Sequence, residues 1–118
     1  MKRVAILGST GSIGRSTLSV VEAHPERFSV VSLAAGQNVE AAFEQVKRWR
    51  PRVISMATPR AADELARRLK AAGCDDLEVA AGPEGAIRVA THPDVDFVVS
   101  AIVGVAGLEA TYEAVRAG

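Results

Sequence analysis

Residues 4–15 read Val4-Ala5-Ile6-Leu7-Gly8-Ser9-Thr10-Gly11-Ser12-Ile13-Gly14-Arg15. A short apolar run enters three glycines spaced G-x-x-G-x-x-G, and helical spacing starts at once from Ser12. Strand, glycine turn, helix is how α/β folds hold a nucleotide phosphate. The glycines let the chain reverse, let a pyrophosphate approach the backbone, and let the helix pack on the strand it has just left. The helix N-terminus then offers unpaired N–H groups and the positive end of its dipole. A rival reading is the phosphate loop of nucleotide triphosphatases. Ser9–Ser16 shadows it, but Ser9 stands where its first glycine belongs and Arg15 where its lysine belongs.

Outward from this turn the chain alternates strands and helices. The first strand, about Arg3–Leu7, is apolar without alternation, as in a parallel sheet covered on both faces. The first helix, about Ser12–His24, is expected to turn Ile13, Leu18, Val20 and Val21 inward and to stop at Pro25. A strand at Phe28–Ala35 follows. Asn38 caps a helix at Val39–Arg50, which Pro51 breaks. A strand at Arg52–Met56 leads to Thr58-Pro59, a cap with Pro at the first helical position, and a helix to about Ala72 ended by Gly73. A short strand at Leu77–Ala80, a helix from Gly82-Pro83 to Thr91, a strand at Val95–Ile102 and a helix at Leu108–Ala117 complete the series. The expected fold is therefore α/β: a Rossmann-like doubly wound parallel sheet with helices on both faces, three layers in αβα order. The loops Gly8–Ser12, Gly36–Asn38, Ala57–Pro59 and Ser100–Gly104 should share the edge where such sheets bind ligands.

The bulk numbers fit one domain. The chain has 118 residues, 48% hydrophobic, with 14 basic and 14 acidic side chains. Zero formal net charge and 4% aromatics give no footing for a nucleic-acid partner. No run approaches the ~20 apolar residues of a membrane helix. The single cysteine, Cys74, fits a reducing, cytoplasmic setting. A sixth strand would normally follow Gly118, so the sequence reads as a domain cut before its last strands.

Residues 32–38, Ser-Leu-Ala-Ala-Gly-Gln-Asn, decide the nucleotide. NAD-specific folds place a carboxylate near here to bond the ribose 2′-hydroxyl, and this stretch has none. With no acid to repel a 2′-phosphate, Gly36, Gln37 and Asn38 point to NADP(H), although the usual arginine partner is not visible in the loop. Catalytic groups are missing. His24 and His92 fall at helix ends. Cys74 stands beside Asp75 and Asp76, which disfavour a thiolate. Asp94 and Asp96 read as a polar loop. Phe43 and Trp49 read as packing, and Lys47–Arg50 as a solvated helix end.

These residues resemble the 1-deoxy-D-xylulose 5-phosphate reductoisomerase family. Leu7–Gly14, LGSTGSIG, is similar to its N-terminal nucleotide loop. Ser16-Thr17, Val20-Val21, the His24-Pro25 break and Ala35-Gly36-x-Asn38 also match. So does Ala101-Ile102-Val103-Gly104-x-Ala106-Gly107-Leu108, a third motif near the nicotinamide end. The resemblance implies that Thr10, Gly11, Ser12 and Ile13 hold the pyrophosphate and adjoining ribose. It implies that Gly36, Gln37 and Asn38 surround the adenosine 2′-phosphate; Gln37 departs from the basic residue often found there. It also implies an enzyme that rearranges and reduces deoxyxylulose 5-phosphate, a phosphosugar, to 2-C-methyl-D-erythritol 4-phosphate in non-mevalonate isoprenoid biosynthesis. That enzyme uses NADPH and a divalent metal, Mg²⁺ or Mn²⁺, usually as a homodimer. Its metal and substrate residues, including an Asn-Lys-Glu segment, belong to motifs past Gly118. The expectation is that these 118 residues bind cofactor without turnover. The alternatives are another NADP-dependent reductase, of the semialdehyde dehydrogenase type, and a non-catalytic nucleotide-binding module.

Overall fold

The structure is a computed structural model that describes residues 1–101. Five strands and four helices follow one another: β1 (Lys2–Leu7), α1 (Ser12–Ala23), β2 (Phe28–Ala34), α2 (Val39–Trp49), β3 (Val53–Met56), α3 (Pro59–Ala71), β4 (Glu78–Ala81), α4 (Gly82–Ala90) and β5 (Phe97–Ser100). The final helix and most of the third motif lie outside the described residues.

All strand pairs are parallel, in the order β4-β3-β2-β1-β5. From β1 the chain steps outward three times in one direction, and then returns to lay β5 on the far side of β1. Right-handed crossovers in opposite directions must use opposite faces of the sheet. The core divides accordingly. Leu18 of α1, Ala42 and Val46 of α2, and Leu65 and Leu69 of α3 pack with Val4, Ile6, Leu33 and Ile54 on one face. Ala86, Val89 and Ala90 of α4 pack with Ala5, Leu7, Ala34 and Val53 on the other. Successive β1 residues alternate between the two clusters, which is why that strand is apolar throughout. Each fully buried leucine contributes roughly 1.5–3 kcal/mol. Across the second interface the buried Ser32 hydroxyl donates to the Val89 carbonyl at 2.8 Å, fixing α4 to β2.

The caps fall where the sequence puts them. Asn38 Oδ1 accepts from the Ala41 N–H at 3.0 Å, and Thr58 Oγ1 accepts from the Ala61 N–H at 3.2 Å. Arg50, in the left-handed region at φ 48, ends α2 ahead of Pro51. Two expectations are corrected. Ile13 and Val20 do not turn inward: they are 62% and 55% exposed, whereas Gly14, Leu18 and Val21 are buried. At 100° per residue the buried line runs through 14, 18 and 21, and positions 13 and 20 lie about a quarter-turn or more away from it. The last described strand starts at Phe97, not Val95, because the Val95 N–H is spent on the His92 carbonyl at 3.0 Å. The ladder begins only when the Asp96 N–H donates to the Arg3 carbonyl at 2.8 Å.

Candidate functional site

The strand order reverses at β1, so the switch point lies between β1 and β5, where a doubly wound sheet binds its ligand. The glycine turn leaves the end of β1 at this point. Gly8 takes a positive φ of 84°, and its N–H and that of Ser9 both donate to the Ala34 carbonyl, at 2.7 and 3.0 Å. The Gly11 N–H donates to the Gly8 carbonyl at 3.2 Å and closes the turn. Arg15 Nε donates to the Thr10 carbonyl at 3.0 Å, so this side chain braces the loop, not a triphosphate. Gln45 reaches over from α2, and its Nε2 donates to the Ser9 carbonyl at 2.8 Å. Ser9 itself is fully buried, and its hydroxyl has no partner among the described residues.

The glycines divide into two kinds. A Cβ on Gly14 would sit 2.1 Å from the Gly8 carbonyl oxygen and 2.7 Å from Ser9 Cα, so α1 packs there with no room for a side chain. A Cβ on Gly11 would meet nothing closer than 3.6 Å, and one on Gly36 nothing within 4 Å. Neither takes a positive φ. The packing of the described residues therefore gives no reason for glycine at 11 or 36, and among those residues both border open space. Gly11 is also the N-cap of α1, and it brings no side chain to the helix. Asn38 and Thr58 cap α2 and α3, while α1 has neither a side-chain cap nor an acid in its first turn. Its leading N–H groups and positive dipole end are left for an anion from outside. These features fit a nucleotide pyrophosphate.

Two cavities open beside the 36–38 loop. One, of about 280 Å³, is lined by Gly8, Ala34–Gly36, Ser55–Ala57 and the head of α4, and is mostly apolar. It joins three of the four loops expected to share this edge; the fourth lies mainly outside the described residues. The other, of about 360 Å³, lies between the heads of α2 and α3. Gly36 lines the first and Gln37 the second, so the 36–38 loop runs between them. Thr10 is half-buried, and Gly11, Ser12, Ile13, Gly36, Gln37 and Asn38 are exposed along this edge. Sequence reasoning missed Gln45, because no spacing rule ties a helix-interior glutamine to a turn 36 residues earlier.

The other titratable groups lie elsewhere. Arg3 binds Asp96 through its backbone N–H at 3.0 Å and through its guanidinium at 3.2 and 3.3 Å. These bonds hold the Asp96 carboxyl below the usual carboxylate range and raise Arg3 further. Asp94 pairs with Arg52 and lies 3.9 Å from Arg3. His92 Nδ1 accepts from the Asp94 N–H at 3.1 Å, and His24 Nδ1 lies 3.9 Å from Glu26. This ionic group joins the starts of β1, β3 and β5, the opposite edge from the glycine turn. Cys74 is buried at that edge too, among Val46, Arg50–Arg52 and Leu77. Among the described residues no three His, Cys, Asp or Glu side chains come together to hold a metal ion. The described residues therefore do not fit a divalent metal site. Phe43 and Trp49 pack on the larger core cluster. No described helix is long and apolar enough to cross a membrane.

A parallel sheet wound both ways, with an uncapped helix behind a glycine turn at its switch point, defines a Rossmann-like α/β domain. The family model for 1-deoxy-D-xylulose 5-phosphate reductoisomerase matches residues 4–118. The chain belongs to that family. It is 52% identical to the reductoisomerase of Methylococcus capsulatus over 118 residues, all of this chain and 30% of that protein. It is 47% identical to reductoisomerase 1 of Bacillus cereus over 117 residues, 99% of this chain and 29% of the other. A crystal structure of DOX-P reductoisomerase with NADPH, fosmidomycin and magnesium superposes with a TM-score of 0.94 at 37% identity, covering 100% of this chain and 28% of that one. The Zymomonas mobilis enzyme in complex with NADPH gives 0.88 at 35%, covering 99% and 30%. The chain thus spans about 30% of the length of the relatives it matches.

Proposed function

We propose that this chain is the NADPH-binding portion of a 1-deoxy-D-xylulose 5-phosphate reductoisomerase. The observation that carries the reading is the uncapped N-terminus of α1 behind Gly11, a glycine that nothing in the packing of the described residues requires. Thr10, Gly11, Ser12 and Ile13 take the pyrophosphate and adjoining ribose, with the Ser12 and Ile13 N–H groups as donors. Gly36, Gln37 and Asn38 take the adenosine 2′-phosphate. Asn38 Oδ1 is engaged as a cap, which leaves its Nδ2 as the donor for a ligand. The apolar cavity beside Gly8 and Gly36 receives the adenosine end. Bound NADPH supplies a hydride; this chain's part is to seat and orient it.

The whole enzyme converts deoxyxylulose 5-phosphate, a phosphosugar, to 2-C-methyl-D-erythritol 4-phosphate, as a cytoplasmic homodimer. The residues for substrate and Mg²⁺ or Mn²⁺ belong to the part of the relatives' length that this chain does not span. The match of the reductoisomerase family model to residues 4–118 favours this reading over a semialdehyde dehydrogenase. A calorimetric titration with NADPH and with NADH tests the reading. NADPH tighter by at least tenfold, about 1.4 kcal/mol, is expected. Absence of binding by either nucleotide refutes it. The same chain mixed with deoxyxylulose 5-phosphate and NADPH is expected to give no product.

A further inference from the structure

The loop that should recognise a 2′-phosphate carries no cation: Gly36, Gln37 and Asn38 are all neutral. A dianionic phosphate is ordinarily met there by an arginine. The structure brings one in from the next helix. The cavity between α2 and α3 is lined by Gln37 and Val39 on one side and by Thr58, Arg60, Glu64 and Arg67 on the other. Arg60 and Arg67 are seven residues apart, two turns of α3, and so project from one face. Both are exposed, and neither makes an ion pair within 4 Å among the described residues. Glu64, the one acid on this wall, lies 4.0 Å from Arg68, outside the cavity. The wall facing Gln37 therefore has a net positive charge.

The position of Arg60 is itself informative. It stands in the first turn of α3, where the dipole disfavours a cation and favours an anion, and that turn contains no acid. Arg60 does nothing there for the helix, whereas an anion bound in the cavity would meet both the guanidinium and the helix end.

We propose that Arg60, supported by Arg67, recognises the adenosine 2′-phosphate of NADPH from across the cavity that Gln37 lines. The proposal rests on the NADPH reading above and names the residue that sets its selectivity over NADH. Arginine on α3 supplies the charge that Gln37 lacks, and the side-chain amides of Gln37 and Asn38 supply neutral donors on the facing wall.

The test is titration of the parent, Arg60→Gln and Arg60→Lys proteins with NADPH and with NADH, at low and moderate salt. Thermal unfolding of each variant serves as the folding control. Arg60→Gln is expected to weaken NADPH about tenfold, to leave NADH within twofold, and to flatten the salt dependence of NADPH binding. Arg60→Lys should lose less. Adding Gln37→Arg to Arg60→Gln should restore NADPH, because it returns a cation to the same cavity from the other wall. A parent that prefers NADPH and an Arg60→Gln variant that keeps that preference overturn this proposal alone. Equal weakening of both nucleotides also overturns it, since Arg60 would then not be reading the 2′-phosphate. A parent that binds neither nucleotide overturns the NADPH reading, and this proposal with it.

Discussion

Exchanging alanine into the two kinds of glycine separates folding from binding. At position 14 the added methyl would lie 2.1 Å from the Gly8 carbonyl oxygen and 2.7 Å from Ser9 Cα. Both are backbone atoms of a turn tied twice to the Ala34 carbonyl, so neither can rotate away. Reaching a normal contact near 3.4 Å requires α1 to move by roughly 1 Å, which against rigid backbone falls at the upper end of overpacking costs, about 2–3 kcal/mol. Helix propensity favours alanine by about 1 kcal/mol in the opposite sense, so the clash wins. The net loss, about 1–2 kcal/mol, lowers Tm by roughly 4–8 °C per kcal/mol for a domain near 100 residues. The same shift takes the leading N–H groups of α1 off a bound pyrophosphate, and NADPH affinity should fall at least tenfold. At position 11 the nearest atom is 3.6 Å away, and φ −81, ψ 176 is open to alanine. Losing glycine at an N-cap costs up to about 1 kcal/mol, while the stiffer unfolded chain returns about 0.4–1. Stability should therefore hardly change, yet NADPH binding should drop as strongly as in Gly14→Ala, because the methyl occupies the ligand's space. Urea unfolding and calorimetric titration of both variants give the readout. A Gly11→Ala protein that binds NADPH like the parent refutes the assignment of that space. A Gly14→Ala protein of parental stability refutes the close approach.

Gln45→Leu removes the 2.8 Å bond to the Ser9 carbonyl and leaves that acceptor unpaired beneath the turn, a loss of about 1–3 kcal/mol; if denaturation shows under 0.5 kcal/mol, Gln45 does not brace the loop. Asp96 has its carboxyl held low by hydrogen bonds from Arg3. A group depressed in the folded state adds stability above its unfolded value, about 3.9, and loses it as pH falls through the lower folded value. Asp96→Asn should therefore lower stability at neutral pH and make the decline below pH 4 shallower; parallel acid curves for variant and parent would show that the pair is not linked to folding.

The order of elements was legible because punctuation marks it at every boundary. Asn38 and Thr58 open helices as side-chain caps, Pro51 follows the left-handed Arg50, and the apolar β1 sits between two core clusters. Apolarity and structural role part company at three residues. Ile13 and Val20 are hydrophobic but lie off the line through Gly14, Leu18 and Val21. Val95 extends the apolar run of β5, but its N–H is turned into a loop bond instead of the ladder. Composition reports what a residue would gain by burial; helix phase and hydrogen bonding decide whether it gets there.

The site divides along the same physical line. The glycine turn is local: its function depends on spacing over seven residues, and spacing is written in the sequence. The polar wall of the second cavity is not local. A right-handed crossover on a parallel sheet sets the heads of α2 and α3 side by side, so Arg60 faces Gln37 across 23 positions with no motif between them. The loop at 36–38 read by itself is short of a cation, and the missing charge became visible only when the sheet order placed the next helix against it. On the proposal that Arg60 reads the 2′-phosphate, the strand-end loop is one wall of a two-walled site. On this fold the head of the following helix must be counted before NADP selectivity is judged weak.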